Sequence, residues 1–140
     1  MSRLTGYDFR LANTFASLAT ASQREAALAI CAEAISRLRI QNLQVDEALN
    51  ALNNGRNLHA DLVVALQRLA QEIEEPYLTA LGKNENVAES LELINLFKRA
   101  RAVESIVAFA QGNFEDALYE ALHAGITTKR AKTIVETFKS

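Results

Sequence analysis

"VESIVAFAQGNFEDALYEAL", residues 103–122, is the stretch on which the fold turns. Apolar residues recur at helical spacing as far as Ala110, and Gly112 then interrupts the pattern. Asn113 follows at once, and a second amphipathic run begins with Phe114, Ala117 and Leu118. A glycine just past a periodic run is where a chain can leave a helix through the left-handed region. An asparagine behind it is a natural N-cap, and Asp116 stands three residues on. The stretch therefore predicts two helices joined by a tight turn.

The same grammar extends along the chain. Gly55, Gly82 and Gly125 also follow apolar-periodic runs, so each is expected at a left-handed position just past a helix. Ser22 to Glu25 and Asn86 to Glu89 have capping-box spacing, and Thr127 or Thr128 suits the cap of a last helix. Helices are expected at 8–19, 22–38, 44–54, 57–75, 86–98, 100–111, 113–124 and 128–138, with a short turn after Pro76, the one proline. Ala27, Cys31, Ala34, Ile35 and Leu38 make one apolar face, and Leu58, Leu62, Leu66, Leu69 and Ile73 make another. No Val/Ile-rich alternating run reads as a strand. The class is all-α, with seven or eight helices in a compact bundle or a short α-solenoid of stacked helix pairs. Residues 1–140 read as one domain, with a hinge allowed near 76–86, because no Ser- or Pro-rich linker divides them.

Composition excludes several classes. With 140 residues, 49% hydrophobic and 23% charged, the chain can bury a core and does not read as disordered. A single cysteine, Cys31, rules out an internal disulfide or a Cys-based zinc site and fits a reducing compartment. No window approaches the length of apolar run that a membrane span needs, so a cytoplasmic protein with no membrane partner is expected. A net charge of −2 argues against a dedicated nucleic-acid binder.

Catalytic signatures are scarce. Cys31 lies on the most apolar stripe of its helix, which suits a buried structural thiol better than a nucleophile. The glycines are scattered singly, so no phosphate-cradling loop is expected. Glu120 and His123 have the spacing of a di-iron ligand pair, but His59 has no glutamate three residues before it. Glu72 and Glu75 share a helix face and end an acidic run with Glu74, which reads as an exposed helix end. No enzyme, metal or other cofactor is expected.

The basic residues are more organised. Lys98, Arg99 and Arg101 form one cluster, and Lys129, Arg130 and Lys132 a second. These six are the candidate partner or phosphate contacts, and ten of the fifteen basic residues are arginine, the type suited to bidentate recognition.

Three local resemblances bear on these clusters. Residues 103–122 resemble the middle of a tetratricopeptide-type hairpin, which implies stacked helix pairs with a concave binding face. Gly125, Ile126, Ala131 and Ile134 resemble the second half of a helix-hairpin-helix motif, with Thr127 where that family carries its second glycine. Ala121, Gly125, Ile126, Thr127 and Ile134 also resemble a DNA-binding helix-turn-helix, with Glu120 at a position usually apolar. A turn that half-satisfies two motifs reads first as a structural helix pair. Across 113–140 the basic residues Lys129, Arg130, Lys132 and Lys139 are offset by Glu115, Asp116, Glu120 and Glu136. The expectation is a non-catalytic protein–protein interaction module of adaptor, regulator or toxin-neutralising type. The alternative is a nucleic-acid binder using the C-terminal hairpin and the basic clusters. Tyr7, Phe9, Phe15, Tyr77 and Phe97 are candidates for exposed contact residues, and self-association as a homodimer is compatible with so much alanine and leucine.

Overall fold

The computed structural model describes residues 2–83 and 90–139. Eight helices follow one another among the described residues, and no strand: α1 (Arg3–Tyr7), α2 (Phe9–Ala16), α3 (Thr20–Arg37), α4 (Leu43–Asn53), α5 (Ala60–Gly82), α6 (Leu91–Ala110), α7 (Phe114–His123) and α8 (Thr128–Thr137). α3 and α6 form the centre. Their alanines, Ala26, Ala27 and Ala34 on one and Ala100 and Ala102 on the other, are buried and let the backbones of packed helices approach closely. Ile30, Val103, Ile106 and Phe109 are buried in the same core. The Cys31 thiol donates to the Ser105 carbonyl at 3.7 Å, and burial pushes its pKa up to about 12. It is a structural thiol.

The N-terminal helices close on the C-terminal ones: α1 packs on α7, and α2 and α3 on α8. Such long-range closure makes a bundle rather than a solenoid, in which each pair would touch only its neighbours.

Turn chemistry explains the helix ends. Gly55, Gly112 and Gly125 have φ of 72°, 82° and 111°. Behind each glycine the next residue's N–H reaches back to a carbonyl five residues earlier: Arg56 to Ala51, Asn113 to Ala108, Ile126 to Ala121. A fourth termination of this kind ends α3, where Ile40 donates to Ile35 and Arg39 holds φ 53°. Only glycine takes that conformation without a Cβ penalty. Arg39→Gly is therefore expected to stabilise the chain by roughly 0.5–1 kcal/mol, and Gly125→Ala to destabilise it by about 1 kcal/mol. A pair of thermal melts that moved in the same direction would contradict this.

Several expectations need correction. α1 was not anticipated; Ser2 Oγ caps it by accepting from the Thr5 N–H, and Asp8 caps α2 through the Leu11 N–H. α3 begins at Thr20 with Ala19 at its N-cap, so the Ser22–Glu25 box lies inside the helix. Gln23 explains the early start, because its amide reaches back to the Ala16 and Leu18 carbonyls and ties the preceding turn. The Asn86–Glu89 box lies outside the described residues. Asn113 stands at the N-cap of α7, but its side chain makes no capping bond. Gly82 is the last residue of α5 and lacks a positive φ.

Two larger corrections concern α5 and α6. α5 continues through Pro76 to Gly82, so there is no turn after the proline, and residues 76–82 of the expected hinge are helix. The proline removes only one donor, and both Pro76 and Glu72, whose carbonyl loses it, are exposed to water. Flanking contacts hold the helix on either side: Glu74 to Arg101, and Tyr77 against Phe97 with ring centroids 5.1 Å apart. α6 is one helix where two were expected, 86–98 and 100–111, because nothing near Arg99 breaks it and Ala100 and Ala102 are fully buried. Ser90 Oγ caps it through the Leu93 N–H. No described helix is long and apolar enough to cross a membrane.

Candidate interaction groove

α5 and α6 form an antiparallel hairpin, fixed in register by the Glu74–Arg101 and Tyr77–Phe97 contacts. On α5, Gln67, Gln71, Glu74, Leu78 and Leu81 follow at alternating intervals of four and three, so they share one face. On α6, Leu91, Ile94, Lys98, Arg101 and Ser105 do the same. The α6 stripe lies on the side that meets α7, through Arg101 and Lys98.

Beside the inner half of the hairpin α7 packs on α6 and α3. Arg101 Nη1 donates to Glu120 Oε2 on α7 at 2.8 Å, and Arg101 Nη2 donates to Glu74 Oε2 on α5 at 2.9 Å. One guanidinium thus ties three helices. Arg3 adds α1, reaching Glu120 Oε1 at 3.2 Å and Asp116 Oδ1 at 3.4 Å while its guanidinium lies over the Tyr119 ring. Glu120 is only 4% exposed, so its two arginine partners supply the compensation that a buried carboxylate needs. Glu104 stands beside this network. Desolvation pushes its pKa up from the ordinary 4.5, against the Arg101 charge, and Glu120 and Glu74 add to the rise. A polar cleft of about 190 Å³ opens there, lined by Arg3, Gln67, Arg101, Glu104, Gln111 and Asp116 among others.

The outer half of the groove is different. α7 ends at His123, and the Gly125 turn behind it lies against the Lys98 side chain: a Cβ placed on Gly125 would sit 3.8 Å from Lys98 Cδ. α8 then turns away to pack on α2 and α3. A helix rises about 1.5 Å per residue, so α7 spans about 15 Å of a hairpin arm about 34 Å long. Past Lys98 the stripes continue as Leu78 and Leu81, 49% and 44% exposed, and Leu91, 80% exposed, with Ile94 half-buried between them. Among the described residues no helix covers this end. Ala80 is buried at the hairpin, yet it does not belong to the main core cluster. The hairpin thus carries exposed leucines at its outer end.

The six basic residues of the sequence reading have separate places. Arg101 is absorbed in the ionic network just described. Arg130, on α8, forms a forked pair with Glu33 on α3, with Nη2 to Oε1 at 2.7 Å and Nε to both oxygens at 3.0 Å. Hydrogen bonding to Arg130 lowers the Glu33 pKa. Lys98 lies along the Gly125 turn, while Lys129 and Lys132 are exposed on α8. Thr127 caps α8 by accepting from the Arg130 N–H at 3.1 Å.

Other candidates also resolve. The Glu120 carboxylate faces Arg3 and Arg101, and the His123 ring donates from Nδ1 to the Tyr119 carbonyl at 3.0 Å, so the two do not share a ligand site. Among the described residues no group of three metal-ligating side chains converges. Tyr7 and Phe9 are exposed, and Tyr7 packs edge-on against Tyr119. Phe15 is core, and Tyr77 and Phe97 are half-buried against each other. The groove leucines escape the sequence reading because Pro76 suggests a break. The four–three spacing from Gln71 through Leu81 is the signal that carries across it.

No family model, curated protein or solved structure matches the chain.

Proposed function

We propose that this protein is a non-catalytic α-helical protein–protein interaction module that docks a partner through the outer end of the α5–α6 groove. One observation supports the reading. Leu78, Leu81 and Leu91 lie exposed at the outer end of the α5–α6 hairpin, beyond the point where α7 stops. Large apolar residues grouped at one end of a fold, rather than scattered singly, are typical of interaction surfaces. The two most structured basic side chains, Arg101 and Arg130, are occupied by carboxylates within the fold, which weakens the phosphate-binding alternative.

The test separates a structural from a functional role. Exposed leucines contribute little to folding, so the variant Leu78→Glu/Leu81→Glu/Leu91→Glu is expected to unfold within about 1 kcal/mol of the parent. The parent chain should retain a protein from its source-cell extract that this variant does not, whereas Leu43→Glu, at an exposed leucine on α4, should still retain it. Equal retention by all three chains would refute the groove reading. Salt-sensitive binding of a labelled oligonucleotide, lost on reversing Lys98, Lys129 and Lys132, would replace it with the nucleic-acid reading.

A further inference from the structure

We infer that α1 is a latch. It swings away about Asp8 while the rest of the bundle stays folded, and so uncovers an acidic and aromatic stripe of α7 to a helical segment of the same Arg-Leu-x-x-Tyr chemistry. The inference does not rest on the leucine surface of the α5–α6 hairpin. The stripe is Asp116, Tyr119, Glu120 and His123, spaced i, i+3, i+4 and i+7 and therefore on one face of α7. α1 answers it residue by residue. Arg3 meets the Asp116 and Glu120 carboxylates at 3.4 and 3.2 Å, and its guanidinium lies 4.4 Å from the centroid of the Tyr119 ring. Tyr7 stands edge-on to Tyr119 with centroids 6.0 Å apart, and 5.2 Å from the His123 ring. Leu4, between the two in sequence, is fully buried.

Little else holds α1 shut. A helix of five residues does not persist on its own. Leu4 is its only buried residue, and Arg3 and Tyr7 are more than half exposed. Gly6 weakens α1 further. Its φ is not positive and a Cβ there would meet nothing within 4 Å, so neither conformation nor space calls for glycine. Inside a helix, glycine lowers the helical population about fivefold relative to alanine. Asp8, extended at φ −147° and ψ 96°, separates α1 from α2 and is the hinge. Arg3 borders two clefts, the polar one of about 190 Å³ and a second of about 550 Å³ lined also by Ser2, Phe15 and Gln23. Water from either can take its place at Glu120, which keeps Arg101 when α1 opens. Burial of one leucine favours the closed state by a factor of about ten to a hundred, and ion pairs of so exposed an arginine add little. Global unfolding is disfavoured by roughly 10⁴ or more.

Native-state hydrogen exchange on the full chain reads the latch at the Asp8 amide, which donates to the Leu4 carbonyl at 2.8 Å. This amide is expected to exchange at least tenfold faster than those of α3 and α6, with almost no dependence on urea, because opening α1 exposes little surface. Gly6→Ala should slow it about fivefold. Exchange of Asp8 in step with α3 and α6, and with their urea dependence, overturns the latch. The stripe is tested in trans with a fluorescein-labelled peptide of residues 2–8 carrying Gly6→Ala, followed by anisotropy. The parent chain should bind it weakly, since its own α1 competes at an effective concentration of about millimolar. The full chain carrying Arg3→Glu, whose latch is repelled by Asp116 and Glu120, should bind it at least tenfold more tightly. Adding Asp116→Lys to that chain re-closes the latch by charge exchange and repels the peptide's arginine, so the gain should vanish. Absent binding, equal binding by parent and Arg3→Glu, or a gain that survives Asp116→Lys overturns the inference.

Discussion

Arg101→Ala is expected to cost about 3–5 kcal/mol of folding stability, the range for removing one member of a buried ion pair. The loss exceeds one salt bridge because Arg101 serves carboxylates on two other helices, Glu74 at 2.9 Å and Glu120 at 2.8 Å. Glu120 would remain almost fully buried, with only Arg3 to compensate it, and that arginine is itself more than half exposed. Urea denaturation at neutral pH measures the loss. The pH dependence has a definite sign. Glu104 already has a folded pKa above its ordinary 4.5, and the Arg101 charge restrains that rise. A raised acid favours the folded state below its unfolded pKa, and that contribution fades as pH climbs through the folded value. Without Arg101 the folded value rises further, so the deficit should be largest near pH 7 and shrink as pH falls toward 4.5. A deficit under 1 kcal/mol at pH 7, or one that grows on acidification, would show that the network does not carry charge compensation as drawn.

Phe15→Ala is the second large effect, with an expected cost of about 3–5 kcal/mol. Phe15 is the largest fully buried side chain, and it lies on α2, which packs on α8. Phe15 also lines the cleft beside residues 112–116, so truncation leaves a void where the first helices close on the start of α7. The loss should therefore be regional as well as global. In hydrogen exchange, α1, α2 and α8 should lose protection before α5 and α6, whose mutual packing does not involve Phe15. Uniform loss of protection would mean that closure and the central hairpin unfold as one unit.

Both effects lie in parts of the molecule that are unequally legible in its residues. Helix class was readable because alanine, leucine and the 3.6-residue period act locally. Three helix ends were readable because Gly55, Gly112 and Gly125 meet a backbone demand that other residues meet poorly. Arg39 made the same turn without that signature, since the Ile35 and Ser36 carbonyls hold it there through the Ile40 and Arg39 N–H groups. Pro76 misled in the other direction. Its propensity to break a helix was outweighed by packing against α6 on both sides, and that packing is invisible until the hairpin forms.

Charge was legible as composition but not as function. Lys98 and Arg101 share a face of α6, yet Arg101 lies level with the carboxylates of Glu74 and Glu120 while Lys98, one turn further out, lies at the Gly125 turn. Arg130 finds Glu33 ninety-seven residues away. By itself, the sequence determined the all-helical class, most of the turns and the absence of a recognisable catalytic motif, because these depend on interactions within a few residues. Only the tertiary structure decided that the chain closes into a bundle, which basic residues are consumed by the fold, and which leucines lie exposed beyond the end of α7. Those outcomes depend on which distant faces meet, and a period of 3.6 residues says which face is apolar without saying what will cover it.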